Sequence, residues 1–272
     1  MRNEFNSIAE NNRGSIALAS KYARFTMQTE ADGVATMIDS SPDDIFGSPL
    51  TLTGTTTDIF DPLTGVLTFH AAGNPHVVNT TDTSVANLFD MSQNSAGGYL
   101  LMFRYQTTLT VPTAAEYLFS AGHHASANGG FQIRIDTNGN VIAIILDVSG
   151  AQSKFVVGST NICDDSVHTA LVYFDAANFS THVYVDGSID VAETAWGFTG
   201  LPTITPSRNV GLFCRAASAT SGAELMGEFD AGPLLSNFWI IRAETDISAS
   251  LPAIATEYHA NPSKMLWALD GL

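Results

Sequence analysis

Short stretches in which apolar and polar residues alternate dominate the chain from Gly33 onward. In residues 131–136 (FQIRID) every second side chain is apolar, and this period predicts a strand with one packed face and one solvated face. The pair Asn138-Gly139 follows and can supply the positive φ angles of a tight hairpin turn. Because residues 141–146 are then apolar or small throughout, we predict a β-hairpin at this position.

A second hairpin is predicted between segments 170–174 and 182–185, which end at Asp186-Gly187. Turn signals separate several more apolar segments at fairly regular intervals, as in a sandwich or a barrel. These further predicted strands are 66–69, 99–109, 116–120, 154–157, 209–214, 225–229 and 235–242. Helical periodicity is confined to the C-terminal part, where Pro252 can lie in the first turn of a helix that ends by Pro262.

The length and composition favour a single domain. With 272 residues, of which 45% are hydrophobic, the chain can form a sizeable core. The predicted fold class is all-β: a two-sheet antiparallel sandwich with a short C-terminal helix. We place this domain at residues 33–262, after an N-terminal arm (1–32) and before a C-terminal tail (263–272).

Charge is distributed unevenly along the chain. Residues 1–24 hold four bases and two acids, whereas the whole chain carries a net charge of −16. An arm of opposite sign to its domain can pack back on it or dock on an acidic neighbour, including another copy; a frayed terminus is the alternative. The strong negative charge repels phosphate backbones and anionic membranes, so we expect no nucleic-acid partner and no membrane insertion.

The remaining sequence signals concern the cellular compartment. Residues 1–14 contain no apolar run followed by a small-residue cleavage site, so we expect synthesis in a cytoplasm without a signal peptide. Cys163 and Cys214 share no metal-site spacing and are predicted to be small buried side chains.

Residues 167–175 (VHTALVYFD) and 183–187 (VYVDG) carry the most specific motif of the chain. They are similar to the paired strands W-H-H-V-A-x-V-Y-D and L-Y-V-D-G of laminin-G-like domains, which have the concanavalin A-like jelly-roll fold and occur in bacterial surface proteins and bacteriophage particles. Val167 stands where that family has an aromatic residue, and His168 is the one histidine retained. Residues 39–69 and 235–262 resemble the family's opening and closing segments. The resemblance implies that the concave face or the rim loops carry out any binding.

An enzyme is not predicted. Some members of the broader fold are glycosidases with a Glu-x-Asp-x-x-Glu strand, and Glu228 and Asp230 match its first two carboxylates. The third position is Pro233, however, and Glu224 lies too far along the strand to be the partner carboxyl about 5–5.5 Å away that a retaining mechanism requires. We therefore expect no catalytic residues, and a glycoside hydrolase is the least favoured function.

Calcium is the ion to consider, because laminin-G-like domains often hold it at a rim with carboxylates and carbonyls. The candidate ligands are Asp136, Asn138 and Asn140, although a hairpin turn alone also explains these residues. The adjacent His123 and His124 are expected to be loop residues rather than chelators of one ion. His168 is interpreted as a structural member of its strand.

These features predict a structural component of a bacteriophage particle, an exposed head or tail protein of decoration or fibre-like type located in the virion. Its expected partners are other virion proteins, other copies of itself and a host-surface glycan. The alternative is a carbohydrate-binding, lectin-like module, in which exposed aromatic rings stack on sugars. Tyr117 and Trp196 are the candidate rings for that contact.

Overall fold

The computed structural model describes residues 89–108, 111–122, 129–149, 151–203, 210–212 and 234–262, together with the backbone of six strands before residue 80. The first eight strands are β1 (Ala19–Thr29), β2 (Ala35–Asp39), β3 (Leu50–Thr51), β4 (Ile59–Asp61), β5 (Val66–Thr68), β6 (Val77–Asn79), β7 (Gly98–Gln106) and β8 (Glu116–Gly122). The others are β9 (Gly130–Ile135), β10 (Asn140–Leu146), β11 (Ser153–Asn161), β12 (His168–Asp175), β13 (Ser180–Val185), β14 (Ser188–Ala195), β15 (Val210–Leu212) and β16 (Leu234–Ala243). One helix, α1, spans Leu251–Ala260.

The strands form two antiparallel sheets. The larger sheet has ten strands in the order β14-β13-β12-β7-β16-β1-β2-β3, with β5 pairing to β16 and β4 to β5. The smaller sheet has six strands in the order β11-β10-β9-β8-β15-β6. The predicted all-β sandwich with a short C-terminal helix is thereby confirmed, and both predicted hairpins form, as β9-β10 and β12-β13.

Aromatic rings fill the space between the two sheets. Phe131 of β9 lies at the centre of this cluster, with its ring centroid 5.0 Å from that of Tyr99 and 5.0 Å from that of Phe174. Phe119 and Phe89 complete it at 5.6 Å and 6.5 Å. All five side chains are at most 2% exposed, so inward-facing positions from both sheets share one apolar core.

A second apolar cluster lies on the other face of the larger sheet, where α1 packs. Leu251, Ile254 and Tyr258 of α1 are buried together with Trp239 of β16 and Leu171 of β12. Because α1 covers this face, β12 is buried along its whole length. A strand buried on both faces loses the apolar and polar alternation of a half-exposed strand.

The segment predicted as an N-terminal arm, 1–32, contains a sheet strand. β1 pairs with β16 from Ala19 to Arg24 and with β2 from Phe25 to Thr29. The bases Lys21 and Arg24 therefore lie within the larger sheet, which corrects the predicted boundary at residue 33. Charge balance suggested an arm because it does not report hydrogen bonding between strands; residues 1–18 and the tail 263–272 lie outside the described residues.

The sequence did not predict β14, which forms one edge of the larger sheet. Its side chains are exposed or half-exposed, so the strand lacks the alternation of apolar and polar residues from which strands were predicted. The free edges of sheets need protection from unwanted pairing. Here the carboxylate of one β14 residue forms hydrogen bonds to β11, the edge strand of the smaller sheet.

Asp190 of β14 makes that connection between the two sheets. Its Oδ1 accepts hydrogen bonds from the Ser159 hydroxyl at 2.8 Å, the Thr160 N–H at 3.0 Å and the Thr160 hydroxyl at 2.6 Å. Its Oδ2 accepts the Ser159 N–H at 3.0 Å. Four donors from one strand thus converge on one side chain of the opposite sheet.

We expect replacement of Asp190 by alanine to lower the free energy of unfolding by about 1.5–3 kcal/mol, because hydrogen bonds to a charged acceptor are lost together. Urea unfolding followed by circular dichroism measures this change. Glu193→Ala is the matched control, since Glu193 is exposed on the same strand and should change stability by no more than about 0.5 kcal/mol. Equal effects of the two variants would contradict the role of Asp190.

No helix in the described part of the chain is both long enough and apolar enough to cross a membrane.

Candidate functional site

The loops at one end of the sandwich form a connected surface, here called the acidic rim. It consists of the β9-β10 turn (136–140), the loop before β12 (161–166) and the Asp186-Gly187 turn between β13 and β14. The first two are joined by a hydrogen bond of 2.9 Å from the Ile162 N–H to the Gly139 carbonyl. Asp164 and Asp165 are exposed and Asp136 and Asp186 half-exposed, so four carboxylates face or border solvent at this end.

Asp136 organises the β9-β10 turn with its own carboxylate. Its Oδ1 accepts the Asn138 and Asn140 N–H groups, each at 2.9 Å, and its Oδ2 accepts the Asn138 side-chain amide at 3.1 Å. Gly139 has a φ of +79°, which is the left-handed conformation that the Asn-Gly pair predicted. The turn is therefore held by hydrogen bonds among its own residues.

Calcium binding at Asp136, Asn138 and Asn140 stays a prediction. The structure brings the three residues together, but two N–H donors point at Asp136 Oδ1, and such donors oppose a cation at the same oxygen. Within the described ranges, no group of three or more His, Cys, Asp or Glu side chains is arranged to hold a metal ion.

His168 connects two parts of the acidic rim. Its Nδ1 lies 2.7 Å from Asp186 Oδ2 and its Nε2 lies 2.8 Å from Asp164 Oδ1. Burial alone would lower the pKa of His168, but the hydrogen bonds and charges of the two aspartates outweigh it and raise this pKa above the usual value. The same contact with His168 lowers the pKa of Asp164. This geometry agrees with a structural role for His168.

A third group of polar side chains lies behind the rim, in the core. The Tyr105 hydroxyl donates to Glu116 Oε2 at 2.8 Å, and Cys163 Sγ lies 4.0 Å from the same hydroxyl. Glu116 is fully buried. Cys163 is 1% exposed, so the prediction of a small buried side chain is confirmed for this cysteine. Burial raises the pKa of its thiol to about 12, which disfavours the reactive thiolate. Cys214 lies outside the described residues.

The two aromatic residues predicted to stack on a glycan are buried. Trp196 is 3% exposed, and its indole N–H donates to the Thr181 hydroxyl at 2.8 Å. Phe179 meets its ring edge-on at a centroid distance of 5.9 Å. A ring that is almost fully buried and whose N–H is bound in the core cannot receive a sugar, so the prediction for Trp196 is wrong.

Tyr117 is also buried, at 7% exposure. Arg134 of the neighbouring strand β9 donates to its hydroxyl at 3.1 Å, and the guanidinium carbon lies 5.7 Å from the centroid of its ring. This cation–π contact uses the ring face that a sugar would need. The prediction for Tyr117 therefore fails for the same reason. The exposed large apolar side chains of the described residues include one aromatic ring, Phe155 of β11, at 42% exposure.

Several predicted positions cannot be placed. Glu224, Glu228, Asp230 and Pro233, considered for glycoside hydrolysis, lie outside the described residues, and so do His123 and His124. Sequence reasoning missed the pairing of Asp164 with His168. Their spacing of four residues gave no signal, because the two lie on a loop and at the start of a strand rather than on one helix.

The fold is shared with known binding domains. A structure of the binding domain of botulinum neurotoxin DC in complex with SialylT matches with a TM-score of 0.56 and 11% identity, over 88% of this chain and 52% of that one. A structure from work on the cell entry of botulinum neurotoxin type C through two ganglioside molecules matches with a TM-score of 0.55 and 11% identity, over 86% and 51%. The chain has a concanavalin A-like jelly-roll fold.

A third similar structure is the botulinum neurotoxin DC binding domain in complex with rat synaptotagmin II, with a TM-score of 0.54 and 10% identity over 86% of this chain and 51% of that one. The chain thus spans about half the length of the toxin domains it matches. At these identities the likeness concerns the fold. No protein-family profile and no curated protein sequence matches the chain.

Proposed function

We propose that this chain is an exposed structural component of a bacteriophage particle that uses the acidic rim to contact a host-surface glycan. The observation that carries the binding part is the rim itself: three loops from both sheets, fixed to one another by hydrogen bonds and presenting carboxylates at one end of a rigid sandwich. Sites built on rigid elements lose little conformational entropy on binding.

Similar folds support a binding role. The toxin domains with which this chain shares its fold are seen with SialylT and with synaptotagmin II, and one is linked to gangliosides. Binding to a cell-surface molecule is therefore a use to which this architecture is suited, although fold likeness alone does not transfer a ligand.

The charge of the rim argues for a neutral glycan rather than a sialylated one. Carboxylates accept hydrogen bonds from sugar hydroxyls, whereas a sialic acid would bring a further negative charge to a chain that already carries a net charge of −16. We expect neutral oligosaccharides to bind and their sialylated counterparts to bind more weakly, with the difference decreasing at high salt.

The location in a phage particle rests on the sequence. The ending at residues 261–267 (NPSKMLW) resembles the tails of phage-encoded members of the laminin-G-like group, and the basic residues 1–24 differ in sign from the rest of the chain. We propose partners in the same particle, including other copies. We propose neither a catalytic role nor a bound cofactor for the chain.

A glycan array tests the binding proposal with three proteins: the unmodified chain, Asp165→Asn and Phe155→Ala. Asp165 is exposed at the rim, and Phe155 is the exposed ring on β11. We expect Asp165→Asn to weaken binding to neutral glycans about tenfold or more, because a hydrogen bond to a charged acceptor contributes about 1.5–3 kcal/mol, and Phe155→Ala to leave binding unchanged. Loss of glycan binding in Phe155→Ala alone would place the contact on β11 and contradict binding at the acidic rim. If the unmodified chain binds no glycan, only the proposed assembly role remains.

Immunogold electron microscopy tests the particle proposal separately. Antibodies against this chain should label intact particles of the phage whose genome encodes it, at regular positions. Unlabelled particles, with the chain found only in the soluble fraction of the lysate, would contradict a structural role while leaving the glycan result intact.

A further inference from the structure

His168 lies between two carboxylates, and this arrangement has a preferred protonation state. An imidazolium has two N–H donors, one for Asp164 at 2.8 Å and one for Asp186 at 2.7 Å. A neutral imidazole has one donor and one lone pair, so one of the two contacts would then bring a lone pair against an ionised carboxylate. Both contacts are favourable together only while His168 is protonated.

The groups facing His168 come from four elements. Asp164 belongs to the loop before β12, and Asp186 belongs to the turn after β13. Tyr105 of β7 is the cross-strand neighbour of His168, and its hydroxyl is turned to Glu116 in the core. From α1, His259 Nδ1 lies 2.9 Å from the Thr169 hydroxyl and 3.6 Å from Asp186 Oδ1.

The two carboxylates are not held equally well. Asp186 Oδ1 accepts the Thr169 N–H at 2.9 Å, and the Asp186 N–H donates to the Thr169 carbonyl at 2.9 Å. Asp164 lies on an exposed loop, where its other hydrogen bonds come from Ser166, whose N–H donates to it at 2.9 Å. The next residue, Asp165, has a φ of +70°. Asp186 also has a positive φ, +51°, so backbone strain is present on both sides. Asp164 is exposed and its other hydrogen bonds come from its own loop, whereas Asp186 is half-exposed and bound to Thr169 of β12, so the Asp164 side is the weaker one.

We propose that His168 acts as a pH-operated clasp, which holds the 164–166 loop to the Asp186 turn as an imidazolium and releases Asp164 when it loses its proton. After release, Asp165 would keep its N–H bond to the Thr107 carbonyl at 2.9 Å and the bond that its carbonyl accepts at 3.0 Å from the side-chain amide of Gln106, the last residue of β7. Without the contact of Asp164 with His168, Asp165 would then relax from its left-handed conformation. The clasp thereby sets the mobility of one third of the acidic rim.

The direction of the pH dependence follows from the two groups. The pKa of His168 is raised in the folded chain, so its stabilising contribution is complete below the unfolded value and is lost as the pH rises through the folded value. The pKa of Asp164 is lowered, so its contribution is lost as the pH falls through that lowered value. The clasp is closed between these two limits and opens on the alkaline side when His168 titrates.

Amide hydrogen exchange in the full chain, followed by NMR, tests the clasp. The Asp165 N–H reports on the loop, and the Gly139 N–H, bonded to the Asp136 carbonyl at 2.9 Å, is an internal reference in the same rim without contact to His168. The ratio of their protection cancels the intrinsic pH dependence of exchange. We expect the protection of Asp165 relative to Gly139 to fall about fivefold as the pH passes through the imidazole titration of His168, the change that corresponds to the loss of one hydrogen bond.

Asp164→Asn is the decisive variant, because an amide can pair with either protonation state of the histidine. We expect it to remove the pH dependence of the ratio while the chain stays folded, since Asp164 is an exposed residue. A ratio that is independent of pH in the unmodified chain would overturn the proposal. So would an unchanged pH dependence in Asp164→Asn, which would assign the effect to another group.

Discussion

Replacing Phe131 by alanine is expected to lower the free energy of unfolding by about 3–5 kcal/mol, the range typical of a fully buried phenylalanine. Phe131 is 1% exposed and has four aromatic neighbours within 6.5 Å, from both sheets. Its removal would leave a cavity that these neighbours cannot close, because the backbones of Tyr99, Phe119 and Phe174 are fixed in paired strands.

Urea unfolding followed by far-ultraviolet circular dichroism measures this loss. The matched control is Phe155→Ala, the same substitution at a ring that is 42% exposed on β11, for which we expect a decrease of about 1 kcal/mol or less. If Phe131→Ala does not fold, Phe131→Leu retains most of the volume and should destabilise by less than about 1.5 kcal/mol. Similar losses at Phe131 and Phe155 would show that the aromatic cluster is not the centre of the core.

The second large effect is expected at Gly129, where an alanine would be strained and crowded at once. Its φ is +70°, and a Cβ atom would lie 2.4 Å from the Asp147 carbonyl oxygen and 3.2 Å from that of Leu146. The left-handed conformation costs an alanine about 1–2 kcal/mol, and displacing the backbone at the end of β10 costs about 1–3 kcal/mol more. We expect Gly129→Ala to lower the free energy of unfolding by about 2–5 kcal/mol.

Gly197 provides the control for this prediction. Its φ of +82° is similar, but no heavy atom lies within 4 Å of a Cβ built there. Gly197→Ala should therefore show only the conformational effect, about 1–2 kcal/mol. The difference between the two midpoints of urea unfolding isolates the steric effect, and identical midpoints would contradict the close approach of Gly129 to β10.

The candidate site and the connection between the two sheets were only partly predictable. Asn138 and Gly139 specify their turn through local chemistry, because the side chain and backbone preferences of neighbouring residues are sufficient for a hairpin. The contacts of Asp190 with Ser159 and Thr160 join residues about 30 positions apart on different sheets. No local pattern records such a contact.

The burial of Tyr117 and Trp196 could not be predicted from local sequence either. A tyrosine or tryptophan has an apolar body and a polar end, so its type is compatible both with a core and with an exposed stacking surface. Only the tertiary structure brings Arg134 to Tyr117 and Thr181 to Trp196, and these partners decide that both rings are buried.

By itself, the sequence determined the all-β class, the two hairpins and the C-terminal helix, because each depends on periodicity and turn chemistry within a few residues. The tertiary structure alone decided that β1 lies in the larger sheet between β16 and β2, that β14 forms an edge fastened by Asp190, and that His168 bridges Asp164 and Asp186. Strand pairing and side-chain hydrogen bonds between distant segments depend on which surfaces come into contact. Those contacts are determined by the packing of the whole sandwich.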